Sequence, residues 1–472
     1  MKTILTAGCL ILNLFISISS RAAIAEDSVT YGKFGKVMLY KPETTASQVV
    51  LFISGDGGWK SGVVDMARRL SAQGALVMGI DILRYNRALK KENAVCYYIS
   101  GDFETLNEVV QKKLNFKHFI TPILAGYSSG ATMAYALLAQ APDNTYKGAL
   151  ALGFDPGIEI GKPLCVGSGL HSTPVPHGYS LLPRPDMSAV FVVLNGDLDK
   201  FWEPEKGKAF LSALKYSRLY ELPGVGHGFT QPKHWVPQFI SGYRYIISNY
   251  SPPVPHNITA SLKTLPIIEV PAKTKDMDMP LMIIYSGDGG WRGFIDKIAV
   301  DFSDRGIPVV GVDVLKYFWE ESSPEKSAKD LAAIIEYYLH NWHRKKVILA
   351  GYSFGADVIP FIYDKLPADI QARVSLLDLM SPSGYADFTF HFTSWLDENS
   401  SQNYKVSTLL NTIVGPKIVV IFGKDEIENL STEIKNKMTR IILVNGDHHY
   451  NYNQGEVVLP VMEAINDKKT IN

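Results

Sequence analysis

The strings SGDGGW (residues 54–59) and GYSSGA (126–131) return in the same order as SGDGGW (286–291) and GYSFGA (351–356). A repeat of this length is the signature of a duplicated domain. In both copies G-x-S-x-G directly follows an apolar run, 119–126 in the first and 346–351 in the second. That strand-to-helix context turns a common pentapeptide into a nucleophile elbow.

Working outward from the elbows, runs rich in β-branched residues recur at 49–54, 76–81, 119–126, 148–153, 189–196 and 218–222. The second copy repeats them at 281–286, 308–313, 346–351, 374–379, 417–423 and 440–445. Between them lie helical patterns such as 62–73 and 131–140. Continuous apolar runs alternating with helices are the pattern of parallel strands buried on both faces. The expected fold class is therefore α/β: two tandem domains, each a mostly parallel sheet of at least six strands with helices on both faces. The proline-rich stretch 251–280 marks the boundary, and 258–270 reads as an edge strand opening the second unit. This divides the chain into a signal segment (1–25), a first domain (26–251), a linker (252–255) and a second domain (256–472). The long segments 154–188 and 380–416 lie where ligand-covering loops occur in such sheets and are candidate lids. The tract DFTFHFTSW (387–395) alternates like a strand.

Lys plus Arg and Asp plus Glu are equal at 47 each, so there is no electrostatic footprint for nucleic acid. The N-terminus has the order of a secretory signal: Lys2, an apolar run to about Ile18, and Ala23-Ile24-Ala25 as the cleavage site. A periplasmic chain starting near Glu26 is expected, with no transmembrane segment after cleavage. Cys96 and Cys165 then remain in an oxidising compartment, where pairing and free thiols are both open.

Serine hydrolysis needs a base for the Oγ proton and an acid to orient it, in chain order Ser, Asp or Glu, His. In the second copy Ser353 is the candidate nucleophile, Asp425 or Glu426 the acid, and His448 or His449 the base. In the first copy the set is Ser128, Asp199 with Asp197 as the lesser choice, and His227. Aligning VGHGF on GDHHY from the aromatic backwards puts His227 over His448, which is therefore preferred. The glycines of SGDGGW suit an oxyanion hole, with donors near Gly287 and Asp288 and the Phe354 N–H. Asp357, one turn after Ser353, is read either as a helix-start carboxylate or as an anchor for a cationic substrate; the first copy has Thr132 there. Asp313 and Asp81 end matched strands and are open to an ion pair, with Lys316 or Arg84, or to substrate binding. No metal or cofactor is called for by this chemistry.

With SGDGGW, GYSFGAD, GVDVLKYFW and GDHH in place, the chain resembles the bacterial AcvB/VirJ virulence-factor family. GYSSGATMAYALLAQAP, KPLC and VGHGF with HWVPQF extend the match over nearly the whole mature chain. The resemblance implies an α/β-hydrolase fold, a periplasmic location and removal of lysine from lysyl-phosphatidylglycerol. It carries the nucleophile to Ser353, the acid to Asp425 or Glu426 and the base to His448. The family tends towards Gly-Gly-His-His-Phe where this chain has GDHHY. The implied partner is an aminoacylated phospholipid at the periplasmic membrane surface. An esterase for a soluble ester and a non-catalytic periplasmic adaptor with protein partners in type IV secretion are the alternative readings.

Overall fold

The computed structural model describes residues 27–201, 203–250, 262–274, 278–291, 293–389, 404–426 and 430–467. The expected signal segment, the linker at 252–255 and residues 390–395 of the alternating tract lie outside them.

The strands of the first copy are β1 (Asp27–Tyr31), β2 (Gly35–Tyr40), β3 (Gln48–Ile53), β4 (Ala75–Ile80), β5 (Ile123–Tyr127) and β6 (Gly148–Leu152). They continue as β7 (Gly157–Ile158), β8 (Ser172–Val175), β9 (Gly178–Leu181), β10 (Val190–Gly196) and β11 (Ser217–Leu222). The second copy holds β12 (Ile267–Val270), β13 (Leu281–Tyr285), β14 (Val309–Val312), β15 (Val347–Tyr352), β16 (Val374–Met380), β17 (Lys417–Gly423) and β18 (Thr439–Val444).

An eight-stranded sheet runs β1-β2-β4-β3-β5-β6-β10-β11 and a seven-stranded sheet runs β12-β14-β13-β15-β16-β17-β18. All neighbours are parallel except the edge pairings β1 with β2, β2 with β4 and β12 with β14. Each sheet is covered on both faces, which is why its strands are apolar without alternation. In the first, Leu51 and Ile53 pack with the helices Ile99–Lys113 and Ser129–Gln140. Val50 and Phe52 pack with Ser61–Ser71 and Val236–Asn249 on the other face. The α/β-hydrolase-like architecture is thus present twice.

The differences from the sequence reading are at the edges. The hairpin β1–β2 has no counterpart in that reading, because it is short and only one side of it is buried. The edge strand expected over 258–270 is confined, among the described residues, to Ile267–Val270. The candidate lid 154–188 carries β7, β8 and β9 as a small antiparallel sheet. Cys96 and Cys165 are joined in a disulfide that ties this segment to the start of the helix Ile99–Lys113. No helix among the described residues is long and apolar enough to cross a membrane.

The two copies touch through different surfaces. Leu315 and Trp319, just past the C-terminal end of β14, pack against Phe116 and Phe119, which precede β5. Trp319 Nε1 donates to the Phe116 carbonyl at 2.8 Å, its ring meets Phe119 edge-on at 5.3 Å, and the Lys112 ammonium lies 4.4 Å above it. Leu83, the first-copy match of Leu315 in the strings GIDILRY and GVDVLKY, is 38% exposed against 1% for Leu315. A buried Trp that fills a pocket and makes a hydrogen bond behaves as an interface hot spot. Trp319→Ala is expected to weaken docking of the copies by about 2 kcal/mol or more. The measurement is whether the two copies, which should otherwise unfold together in urea, separate into two transitions; a single unchanged transition would refute it.

Candidate active site

Both elbow serines sit in a left-handed conformation that non-glycine residues rarely adopt, Ser128 at φ 56° and ψ −125° and Ser353 at φ 52° and ψ −120°. Their N–H groups donate to Leu152 O and Met380 O at 2.8 Å, which pins each turn to the neighbouring strand. The flanking glycines are required by close approach. A Cβ on Gly351 would lie 2.3 Å from Gly355 O, and one on Gly355 would lie 2.3 Å from Tyr285 O. Only a glycine pair lets the helix Phe354–Asp364 start this tightly on the strand, and that geometry presents Oγ at the sheet's C-terminal edge.

Each serine meets a complete relay. In the first copy Ser128 Oγ lies 2.9 Å from His227 Nε2, and His227 Nδ1 lies 2.8 Å from Asp199 Oδ2. Asp199 Oδ1 accepts the Phe201 N–H at 2.9 Å, which fixes the carboxylate plane. In the second copy Ser353 Oγ lies 2.9 Å from His448 Nε2, and His448 Nδ1 is hydrogen-bonded to Glu426 Oε1. With Nδ1 protonated and turned to the carboxylate, Nε2 is free to accept the serine proton in both copies.

Among the alternatives, the structure brings Glu426 rather than Asp425 to the histidine. Asp425 is exposed on the turn after β17. Glu426 and Asp199 both stand three residues past the glycine that closes their strand, Gly423 and Gly196, so Asp425 matches Leu198 instead. Asp197 is likewise away from the relay, accepting the Gly224 N–H at 2.7 Å. His448 is the ring against the nucleophile. His449 stacks edge-on against Tyr352 and His448, and burial together with the His448 charge lowers its pKa below the usual imidazole value.

The SGDGGW loops run beside Ser353 and Ser128. A Cβ on Gly287 would stand 3.5 Å from Ser353 Cβ, and one on Gly55 3.0 Å from Ser128 Cβ. Within this loop Asp288 Oδ1 accepts the Gly289 N–H at 2.9 Å. Phe354, with Ser129 as its first-copy match, opens the nucleophile helix.

Two expected binding residues have other work. The Asp357 carboxylate is buried and accepts from Ser383 N at 2.9 Å, Gly384 N at 3.1 Å and Ser383 Oγ at 2.7 Å. It anchors the loop after β16, and those bonds, not a substrate cation, satisfy its oxygens. Thr132 does the same in the first copy, Oγ1 donating to Asp155 O at 2.6 Å. Asp313 caps the helix Val314–Tyr317 by accepting Lys316 N, and pairs with Lys316 Nζ at 2.8 Å. The structural alternative therefore holds for Asp313, with Asp81 as the matching cap of Ile82–Leu89.

Three residues escaped the sequence reading. Ser381, at φ 48°, replaces Gly153 of the first copy, and its hydroxyl donates to Glu426 Oε2 at 2.6 Å while also meeting Tyr450 OH at 2.6 Å. Matching the residue after the fourth strand in the two copies could have exposed it. Phe201, 66% exposed, lays its ring 4.7 Å from that of His227 at the mouth of the first site. Asp378 lies in β16 opposite Ala350, where the first copy has Leu150 opposite Ala125. It is 0% exposed, neither oxygen has a hydrogen-bond partner among the described residues, and burial pushes its carboxyl up to about 8.

A family model described as bacterial virulence protein (VirJ) matches residues 47–153 and 278–469. Among solved structures the chain is similar to a dienelactone hydrolase from Anabaena variabilis, at 17% identity and TM-score 0.33, over 48% of this chain and 97% of that one. It is similar to a lidless a/b serine hydrolase from Xanthomonas campestris, at 18% identity and TM-score 0.33, over 50% and 99%. Esterase 2 of Thermogutta terrifontis is similar at 16% identity and TM-score 0.34, over 47% and 92%. No curated protein matches the chain.

Proposed function

The chain belongs to the bacterial virulence protein family VirJ, and from that premise we propose that it is a serine hydrolase that transfers the acyl group of a carboxylic ester to water. The observation that carries this reading is the Ser353–His448–Glu426 contact set, repeated as Ser128–His227–Asp199. Serine Oγ attacks the ester carbonyl as its proton passes to histidine Nε2, and the carboxylate stabilises the imidazolium. Backbone N–H groups at Gly287, Asp288 and Phe354 face the oxyanion that forms. The imidazolium returns its proton to the leaving alkoxide, and water repeats the sequence to free the acid.

The substrate we assign is the aminoacyl ester of a lipid such as lysyl-phosphatidylglycerol, met at the periplasmic face of the membrane. Phe201, exposed and with its ring 4.7 Å from that of His227, supports a lipidic substrate at the first site. The engagement of Asp357 with Ser383 and Gly384 favours a second reading, an esterase for neutral soluble esters, because it removes the expected anchor for an ammonium.

Purified protein incubated with lysyl-phosphatidylglycerol vesicles should release lysine, and a fluorophosphonate should label Ser353 and Ser128 and stop the release. Cleavage of neutral soluble esters with no lysine released would establish the second reading. Failure of both reactions and of labelling would leave a non-catalytic protein.

A further inference from the structure

A cleft of about 370 Å³ opens between the two copies, away from either serine. The first copy contributes Lys147, Thr121 and Tyr250, all at the end of its sheet where the parallel strands begin. The second contributes Lys263, Lys316 and Asp313. Three ammonium groups thus face one carboxylate, and that carboxylate is already held by Lys316 at 2.8 Å. Lys147 donates to the neutral Gln48 Oε1 at 2.6 Å and lies 5.4 Å from the Tyr250 ring centre. Among the described residues neither Lys147 nor Lys263 is paired with a carboxylate. Lys147 also borders a neighbouring cleft of about 460 Å³ that adds Lys215, so the cationic region extends past the junction.

A partly buried ammonium group without an acidic partner, as Lys147 is, is costly to maintain in a folded chain. Burial alone lowers the pKa of Lys147 to about 8, and an anion beside it would reverse that shift. We propose that this cleft is a binding site for a phosphate-bearing anion, held between Lys147 of the first copy and Lys263 and Lys316 of the second. Thr121 and Tyr250 line the same wall, where Tyr250 OH donates to Thr121 Oγ1 at 3.5 Å, leaving the threonine O–H as an uncharged donor beside the ammonium groups. The apolar lining from Leu265 and Ile267 leaves room for an organic group esterified to the phosphate.

The test uses the full mature chain, with inorganic phosphate and glycerol phosphate titrated at pH 7 and constant ionic strength, by calorimetry and thermal shift. A second arm measures co-sedimentation with vesicles of anionic phospholipid. Saturable binding of a soluble phosphate that falls about tenfold in Lys147→Gln and in Lys263→Gln supports the site. That binding should also weaken from pH 7 to pH 9 as Lys147 loses its proton. Vesicle binding that both variants lose, with no binding of soluble phosphate, supports the same site with a lipid headgroup as its source. No binding in either arm, or binding that both variants retain, overturns the proposal. Lys263 is exposed, so its variant reports on the site even where Lys147→Gln disturbs packing.

Discussion

His448→Ala, placed in a Ser128→Ala chain so that only the second site can turn over, lowers kcat for an ester by about ten thousandfold, whereas His449→Ala leaves it nearly unchanged. The size follows from the loss of the one base in contact with Ser353 Oγ among the described residues; members of a triad act as a unit, so removing one forfeits almost all the nucleophile's activation. Glu426→Gln should fall on the same side as His448→Ala, because the amide oxygen is claimed by the Ser381 Oγ and Gly423 N donors and the NH2 then faces Nδ1, favouring the wrong tautomer and leaving the imidazolium without its carboxylate, while Asp425→Asn should not. The measurement is steady-state hydrolysis of an activated ester, with fluorophosphonate labelling as the check on the serine itself. Equal losses for His448→Ala and His449→Ala would mean that the relay is not built as described.

Asp378→Leu stabilises the second copy, and the gain grows with pH. The folded carboxyl, pushed up to about 8, keeps its proton at pH values where the unfolded chain has released it at about the ordinary 3.8. The folded state therefore binds the extra proton between those two values, and stability contributed below pH 4 is lost progressively as pH rises through 8. The pH-dependent part removed by Asp378→Leu is roughly 4 kcal/mol at pH 7 and less than 2 kcal/mol at pH 5. Leucine is the residue that the first copy carries at the matching position, Leu150, so the strand accommodates it. Asp378→Asn keeps a buried polar group and should remove the pH dependence without the full gain. Urea unfolding of the whole chain, with and without the substitution, between pH 5 and pH 9 checks this; a stability difference that does not vary with pH would refute the assignment.

What could be read from the chain was whatever its neighbours along the chain determine. The elbows, the parallel strands and the order of the relay follow from apolar runs and glycine spacing, and the structure places six strands of each copy within a few residues of the expected positions. The choice between Asp425 and Glu426 turns on a one-residue offset in a turn, which local pattern does not resolve, although counting from Gly196 and Gly423 would have done so. Asp357 stands one turn after Ser353 as its spacing indicates, but its partners are not legible locally, because the Ser383–Gly384 loop that donates to its oxygens arrives from 26 residues away. The pairing of Cys96 with Cys165 and the meeting of Trp319 with Phe116 depend on separations of 69 and 203 residues, and nothing near either position announces them.

The contact around Trp319 joins the end of one sheet to the opposite end of the other, so it is heterologous, and a heterologous contact between like units can in principle be repeated without limit into a filament. The two unused surfaces carry the answer to that hazard. At the free end of the first copy Arg87 stands where the second has Trp319, and Leu83 lies bare. At the free end of the second copy the segment leading into β15 carries exposed His343, Lys345 and Lys346 where the first presents Phe116 and Phe119 to its neighbour. A third unit would have to bring Arg87 against lysines. The joint is thus made of aromatic rings, and like charge at the corresponding outer surfaces disfavours repeating it.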